Sequence, residues 1–312
     1  MSKVGFAILR GLLYAVALLP FWVLYGIADF IFVLMFYILR YRRKMVRKNL
    51  SLCFPEMGDE ELHKTGRRFY RNFADYIVET IKLLHISDKS IQKRFRIENV
   101  DVVRRYLREN KGIVAYFAHA FNWEWAPSIT LHCKREIEEN GAVLAQIYRP
   151  LRNARFDALM LKLRSRFGSE SISKHVALRT ILGYRRNGTP AIIGFMSDQK
   201  PSHGDELHIL NFLGRRTAVI TGTEALARRL GMAVIYFDMY KERRGHYRMV
   251  IREMCEDASK TEPYQLTHSY FGLLEETITR NPAIWLWSHN RWKNTPPADA
   301  DTDTKQQDNV RK

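Results

Sequence analysis

The sequence predicts an α/β fold: a central mixed sheet flanked by helices, carried behind an N-terminal membrane-anchoring helix. Short β-branched and aromatic runs alternate with helix-like stretches from about residue 100 onward, the pattern of a sheet with crossover helices. The first 39 residues are almost uncharged and end on a basic cluster. A chain of 312 residues with 46% hydrophobic side chains can bury a large core without disulfides.

The elements follow in chain order. Residues 11–28 carry no charge, and after Asp29 the apolar run resumes over residues 30–39. A spanning helix needs roughly 20 apolar residues, and the border Arg40, Arg42, Arg43, Lys44, Arg47, Lys48 marks a cytoplasmic side. A cleaved signal peptide fits less well, because the stretch exceeds its usual ~7 to 15 apolar residues and no small-residue cleavage site precedes the cluster. Pro20 and Asp29 leave a kinked or interfacial anchor open.

Over residues 49–100, Leu62, Phe69, Phe73, Ile77, Ile81 and Leu84 recur at helical spacing. Strands are expected at 112–118, 143–148, 191–196, 233–239 and 247–251. Helices are expected at 122–135, 153–167, 175–185, 221–230 and 263–280, with Gly188 and Gly231 as stop signals. From residue 296 onward almost nothing is apolar, which predicts a disordered tail. The organisation is then an anchor (1–45), a catalytic domain (46–295) and a polar tail (296–312).

Fifty Lys and Arg against 33 Asp and Glu leave a net charge of +17, which calls for an anionic partner. The apolar N-terminus with its basic border favours an anionic membrane surface. No nucleic-acid-binding module is present, so nucleic acid is not expected. Cys53, Cys133 and Cys255 show no metal-ligand spacing, so neither a zinc site nor disulfide dependence is expected.

The segment Ala118-His119-Ala120-Phe121-Asn122-Trp123-Glu124-Trp125 carries the chemistry. A strand ends, a histidine occupies the turn, and a helix begins at Asn122, a suitable N-cap. Loops at the carboxyl ends of strands are where open α/β sheets bind ligands. His119 can take a proton from an incoming hydroxyl if its other ring nitrogen is held by an acceptor, and Glu124 is the expected acceptor. Asp198, following another apolar strand, is expected either to hold Arg164 or to complete the site. Arg149 and Arg164 suit bidentate binding of phosphate. His289 and Arg291, between tryptophans, are split between packing and a headgroup role.

On these residues the chain resembles the bacterial lipid A biosynthesis acyltransferases, late or secondary acyltransferases that share an H-x4-[DE] motif with glycerolipid acyltransferases. His119 to Glu124 matches the motif. The resemblance continues through Tyr148-Arg149-Pro150, Arg164, Ser197-Asp198-Gln199, Asn211-Phe212-Leu213-Gly214 and Trp285-Leu286-Trp287-Ser288-His289-Asn290-Arg291-Trp292-Lys293. It implies a glycerolipid-acyltransferase-like fold at the bacterial inner membrane. It further implies direct transfer from acyl carrier protein, or less often acyl-CoA, to a hydroxyl of a phosphorylated glycolipid acceptor, with His119 and Glu124 as the dyad and Arg164 and Asp198 functional. No cofactor is implied, since the thioester already activates the acyl group. The chain departs from the pattern at Ala118, Ala120 and Phe121, where a glycine before the histidine and a Phe-Gly pair after it are usual, and at Leu213, where a second phenylalanine is usual.

Two other enzymatic readings compete. The same motif can serve another acceptor, such as a glycerophospholipid, aminolipid or different glycolipid. A hydrolase is the other, although no G-x-S-x-G elbow supports a serine mechanism.

Overall fold

The computed structural model describes residues 2–202, 208–293 and 295; the expected tail at 296–312 lies outside them. The N-terminal apolar stretch forms two helices, α1 (Lys3–Leu18) and α2 (Phe21–Val33), with a π-helical extension over Leu34–Ile38. Pro20 makes the break. It stands at the N-cap of α2, where its missing N–H costs nothing, and its ring disfavours a helical Leu19, whose ψ is 145°. Among the described residues Phe21–Ile38 is the helix long and apolar enough to cross a membrane, and only 22% of that window is buried.

The helices α3 (Arg43–Cys53) and α4 (Asp59–Lys82) follow, then α5 (Asp88–Arg94), β1 (Phe95–Glu98) and α6 (Val100–Arg108). The strands β2 (Ile113–Phe117), β3 (Val143–Tyr148), β4 (Glu170–Ser173) and β5 (Ala191–Met196) alternate with α7 (Lys134–Asn140), α8 (Ala154–Arg164) and α9 (Ala177–Arg186). The rest comprises the hairpin β6 (His208–Phe212) and β7 (Arg215–Val219), α10 (Gly222–Leu230), the long hairpin β8 (Ala233–Arg243) and β9 (His246–Cys255), and α11 (Gln265–Arg280).

Seven strands form one sheet in the order β1-β9-β8-β2-β5-β3-β4. Only β8 and β9 pair antiparallel, so the sheet is mixed as the sequence predicts. Every residue of the central strand β2 is buried, which requires cover on both faces and explains its uninterrupted apolar run. Expectation and structure agree on β3 and β5 residue for residue.

Four strands escape the sequence reading. Phe95–Glu98 and Glu170–Ser173 are short edge strands with polar residues, and β6–β7 is a separate hairpin outside the main sheet. Its two-residue turn, Leu213 (φ 52°) and Gly214 (φ 68°), has both positions left-handed, as the twist of a tight hairpin demands. The helix expected at 122–135 is instead a 3-10 helix, Trp123–Leu131, with Pro127 inside it, followed by α7. Asn122 makes no cap hydrogen bond; its amide donates to Glu79 at 2.9 Å.

Polar contacts tie the N-terminal helices to the sheet. Asp29, the one charge inside the apolar run, pairs with Arg244 at 2.8 Å. Arg244 also pairs with buried Asp75 on α4, as does Lys241 of β8. The β8–β9 tip comes so close to α2 that Gly245 (φ 69°) has no room for a side chain; an ideal Cβ there would overlap the Tyr25 hydroxyl. Lys82, at the end of α4, donates to the carbonyls of Ala17 and Leu19 where α1 ends.

Candidate active site

Strand register brings the site together. Phe117 at the end of β2 stands beside Met196 at the end of the parallel strand β5. His119 and Asp198 each lie two residues further on, so both emerge at the carboxyl edge of the sheet. His119 Nδ1 meets Asp198 Oδ1 at 2.8 Å, and the His119 backbone N–H donates to Asp198 Oδ2 at 3.0 Å. The Trp285 indole N–H donates to the same Oδ2 at 2.8 Å. The segment carrying Trp285 is stitched to the turn by an Ala120–Trp285 bridge and by the Phe121 N–H donating to Ile284 O.

This corrects the expectation for His119. The acceptor on Nδ1 is Asp198, whereas both Glu124 oxygens are taken by Arg164, Oε2 by Nε at 2.9 Å and Oε1 by Nη2 at 2.7 Å. Of the two roles expected for Asp198, holding Arg164 therefore falls to Glu124, and completing the histidine site falls to Asp198. Asp198 is buried, with 1% exposure.

The electrostatics agree with this pairing. Burial works to raise the Asp198 carboxyl, but the His119 ring and the hydrogen bonds from His119 and Trp285 outweigh it and hold the group below its ordinary value. An ionised Asp198 places a proton on Nδ1, so in the neutral imidazole Nε2 is the acceptor. The Gln199 amide lies 3.2 Å from Nε2 and can donate to it. The Trp123 ring meets His119 edge-on at 5.1 Å and stacks on Tyr76 at 4.1 Å.

Buried Glu124 and half-buried Arg164 form a second pair. Burial alone would lower Arg164, but the hydrogen bond and charge of Glu124 prevail and raise it. Arg164 spends Nε and Nη2 on Glu124, and among the described residues Nη1 has no hydrogen-bond partner. Arg149, just beyond β3, is exposed and makes no hydrogen bond or ion pair with His119, Asp198, Glu124 or Arg164 among the described residues. Arg291 is buried, with Nη1 donating to Ala218 O, while its Nε and Nη2 lack partners among the described residues; burial lowers its pKa to about 10. Burial likewise pushes His289 down to about 4, so it is neutral near pH 7.

Sequence reasoning missed Glu79 altogether. This fully buried carboxyl group on α4 accepts from Tyr25 at 3.0 Å, Asn122 at 2.9 Å and Tyr247 at 2.8 Å, tying α2, the His119 turn and β9 together. Burial raises it to about 7. The available signal was an acidic residue among the helical apolar positions, between Ile77 and Ile81. Among the described residues no group of three or more His, Cys, Asp and Glu side chains is arranged to hold a metal ion.

Residues 2–294 match the family model described as Bacterial lipid A biosynthesis acyltransferase. The chain is accordingly an O-acyltransferase. It belongs to the bacterial lipid A biosynthesis acyltransferase family. It is similar to the lipid A biosynthesis palmitoleoyltransferase of Escherichia coli K12, 26% identical over 259 residues, covering 83% of this chain and 81% of the relative. The lauroyltransferase of the same strain is 23% identical over 289 residues, 92% of this chain and 90% of the relative. The myristoyltransferase is 18% identical over 259 residues, 83% and 76% respectively.

Proposed function

We propose that the protein transfers a fatty acyl chain from an acyl carrier protein or acyl-CoA thioester to a hydroxyl of a lipid A precursor at the cytoplasmic face of the inner membrane. The observation that carries the catalytic part is the His119–Asp198 pair, which turns Nδ1 to the carboxylate and presents Nε2 at the carboxyl edge of the sheet, beside the Gln199 amide.

The acceptor hydroxyl replaces the Gln199 amide at His119 Nε2 and gives up its proton there as its oxygen attacks the thioester carbon. Asp198 stabilises the imidazolium that forms. The tetrahedral intermediate then collapses, the C–S bond breaks, and the imidazolium returns its proton to the leaving thiolate. Glu124 acts by holding the Arg164 guanidinium flat, so that Nη1 faces an anionic group, either the acceptor phosphate or the developing oxyanion. Arg149, exposed at the same edge, is the second phosphate ligand in this reading.

The names of the relatives support lipid A as acceptor, and the apolar α2 supports membrane residence. Mass spectrometry of lipid A tests both acceptor and base. Deleting the gene should remove one acyl chain, and the wild type should restore it while His119→Ala does not. Unchanged lipid A with a shift in another lipid would move the acceptor assignment and keep the chemistry.

A further inference from the structure

At the foot of α2, a groove of about 540 Å³ opens between α3 and α4. Its floor is apolar, made by Phe36, Leu50, Leu62 and Tyr70, and Gly66 forms part of the wall without a side chain. Five cations line it, Arg40, Arg42, Arg43, Lys44 and Arg47, against one carboxylate, Asp59, which Arg47 already engages. Arg42 donates to Ser288 O, and Arg43 donates to Phe36 O while lying over the Phe36 ring. Among the described residues the side chains of Arg40 and Lys44 have no hydrogen-bond or ion-pair partner.

The backbone at the rim is held in an unusual shape. Arg40 (φ 49°) and Arg42 (φ 50°) both adopt the left-handed region, which costs non-glycine residues roughly 1 to 2 kcal/mol each. The Tyr70 hydroxyl fixes this loop by donating to Tyr41 O. Immediately before the rim, Ile38 and Leu39 are 65% and 63% exposed, continuing the outward apolar surface that includes Trp22 and Phe30. A cationic rim at the end of such a surface lies at the headgroup layer of a bilayer.

We propose that this groove binds one anionic bilayer phospholipid, its phosphate on Arg40 and Lys44 and an acyl chain running over the groove floor toward Ile38 and Leu39. The combination selects an amphiphile. A wholly polar acidic partner would use the rim and leave the apolar floor wet. The groove is distinct from the His119 site but linked to it in structure, because Asn49 of α3 donates to the carbonyls of Trp287 and His289, close in sequence to the indole that holds Asp198.

Native mass spectrometry of the full chain released from mixed phosphatidylglycerol and phosphatidylcholine bilayers tests this without reading acyl transfer, so its failure leaves the proposed reaction standing. The wild type should retain one phosphatidylglycerol and no phosphatidylcholine. Arg40→Gln with Lys44→Gln should weaken retention about thirtyfold, each headgroup-layer cation contributing about fivefold. Gly66→Leu fills the groove without changing charge and should abolish retention. Gly66→Ala, whose Cβ meets only Leu50 at 3.9 Å, should keep it and serves as the fold control. Lys134→Gln with Arg135→Gln removes the same charge from exposed α7 and should keep the lipid. Equal retention of phosphatidylcholine, retention in Gly66→Leu, or equal loss in the α7 variant would overturn the proposal. So would displacement by an equimolar phosphorylated glycolipid acceptor or by acyl carrier protein.

Discussion

His119 devotes one ring nitrogen to Asp198 and turns the other toward Gln199, and this asymmetry is what a general base requires. Asp198 accepts three hydrogen bonds with two oxygens. An asparagine amide in its place would present only one oxygen to the same three donors, and the imidazole would be free to take the wrong tautomer. Asp198→Asn should therefore lower kcat by roughly 10²- to 10⁴-fold with the fold intact, measured by turnover alongside circular dichroism. A rate near wild type would remove Asp198 from the mechanism. At Glu124 and Arg164 the balance differs, since Glu124 is buried and removing half-buried Arg164 leaves its charge uncompensated. Arg164→Ala should cost about 3 kcal/mol in thermal unfolding, whereas Arg164→Lys should keep more of the stability and mainly raise the acceptor KM.

Among the elements, the turn from His119 to Glu124 and the tip of the β8–β9 hairpin each hold one residue at positive φ, Phe121 and Gly245. Phe121 sits at a φ of 51° where the family pattern has glycine, yet it is buried and packs on Tyr247 with ring centroids 5.9 Å apart. Phe121→Gly would relieve roughly 1 to 2 kcal/mol of backbone cost and lose about 3 to 5 kcal/mol of packing, so net destabilisation should appear in denaturant unfolding. A gain in stability would show that the ring contributes little. At the hairpin tip, Gly245→Ala combines a left-handed φ with overlap on Tyr25. It should lower stability by more than the ~1 kcal/mol of the backbone term alone and loosen α2, which limited proteolysis near Pro20 would report.

The whole molecule is held by buried polar ties as well as by its apolar core. Glu79 links α2, the His119 turn and β9, and burial raises it from 4.5 to about 7. Its folded form binds the proton more tightly than its unfolded form. The resulting stability is fully present below about pH 4.5 and is lost as pH rises through about 7, on the order of 3 kcal/mol in all. Between pH 5 and 8 the wild type should therefore lose stability relative to Glu79→Gln, whose amide does not titrate. Parallel pH profiles of the two proteins would refute this. Asp29, Arg244 and Asp75 form a second tie, so α2 is fastened to the domain along one side while its other side carries exposed Trp22 and Phe30.

The core strands, most of their flanking helices and the position of His119 were legible in the sequence, because apolar periodicity and turn residues are local properties. The edge strands β1 and β4 were not, since four-residue polar segments become strands only when a neighbour supplies their hydrogen bonds. The break in the N-terminal apolar stretch could be read at Pro20, but the partner of Asp29 could not. Likewise, sequence spacing pointed to Glu124 as the acceptor for His119, five positions away. Asp198, 79 positions away, is the actual partner because β2 and β5 run parallel in register and end together. Sequence thus determined which residues stand at strand ends and carry the family's pattern. Only the tertiary structure decided which of them meet, because ion pairs and hydrogen bonds form across elements whose distance along the chain says nothing of their distance in space.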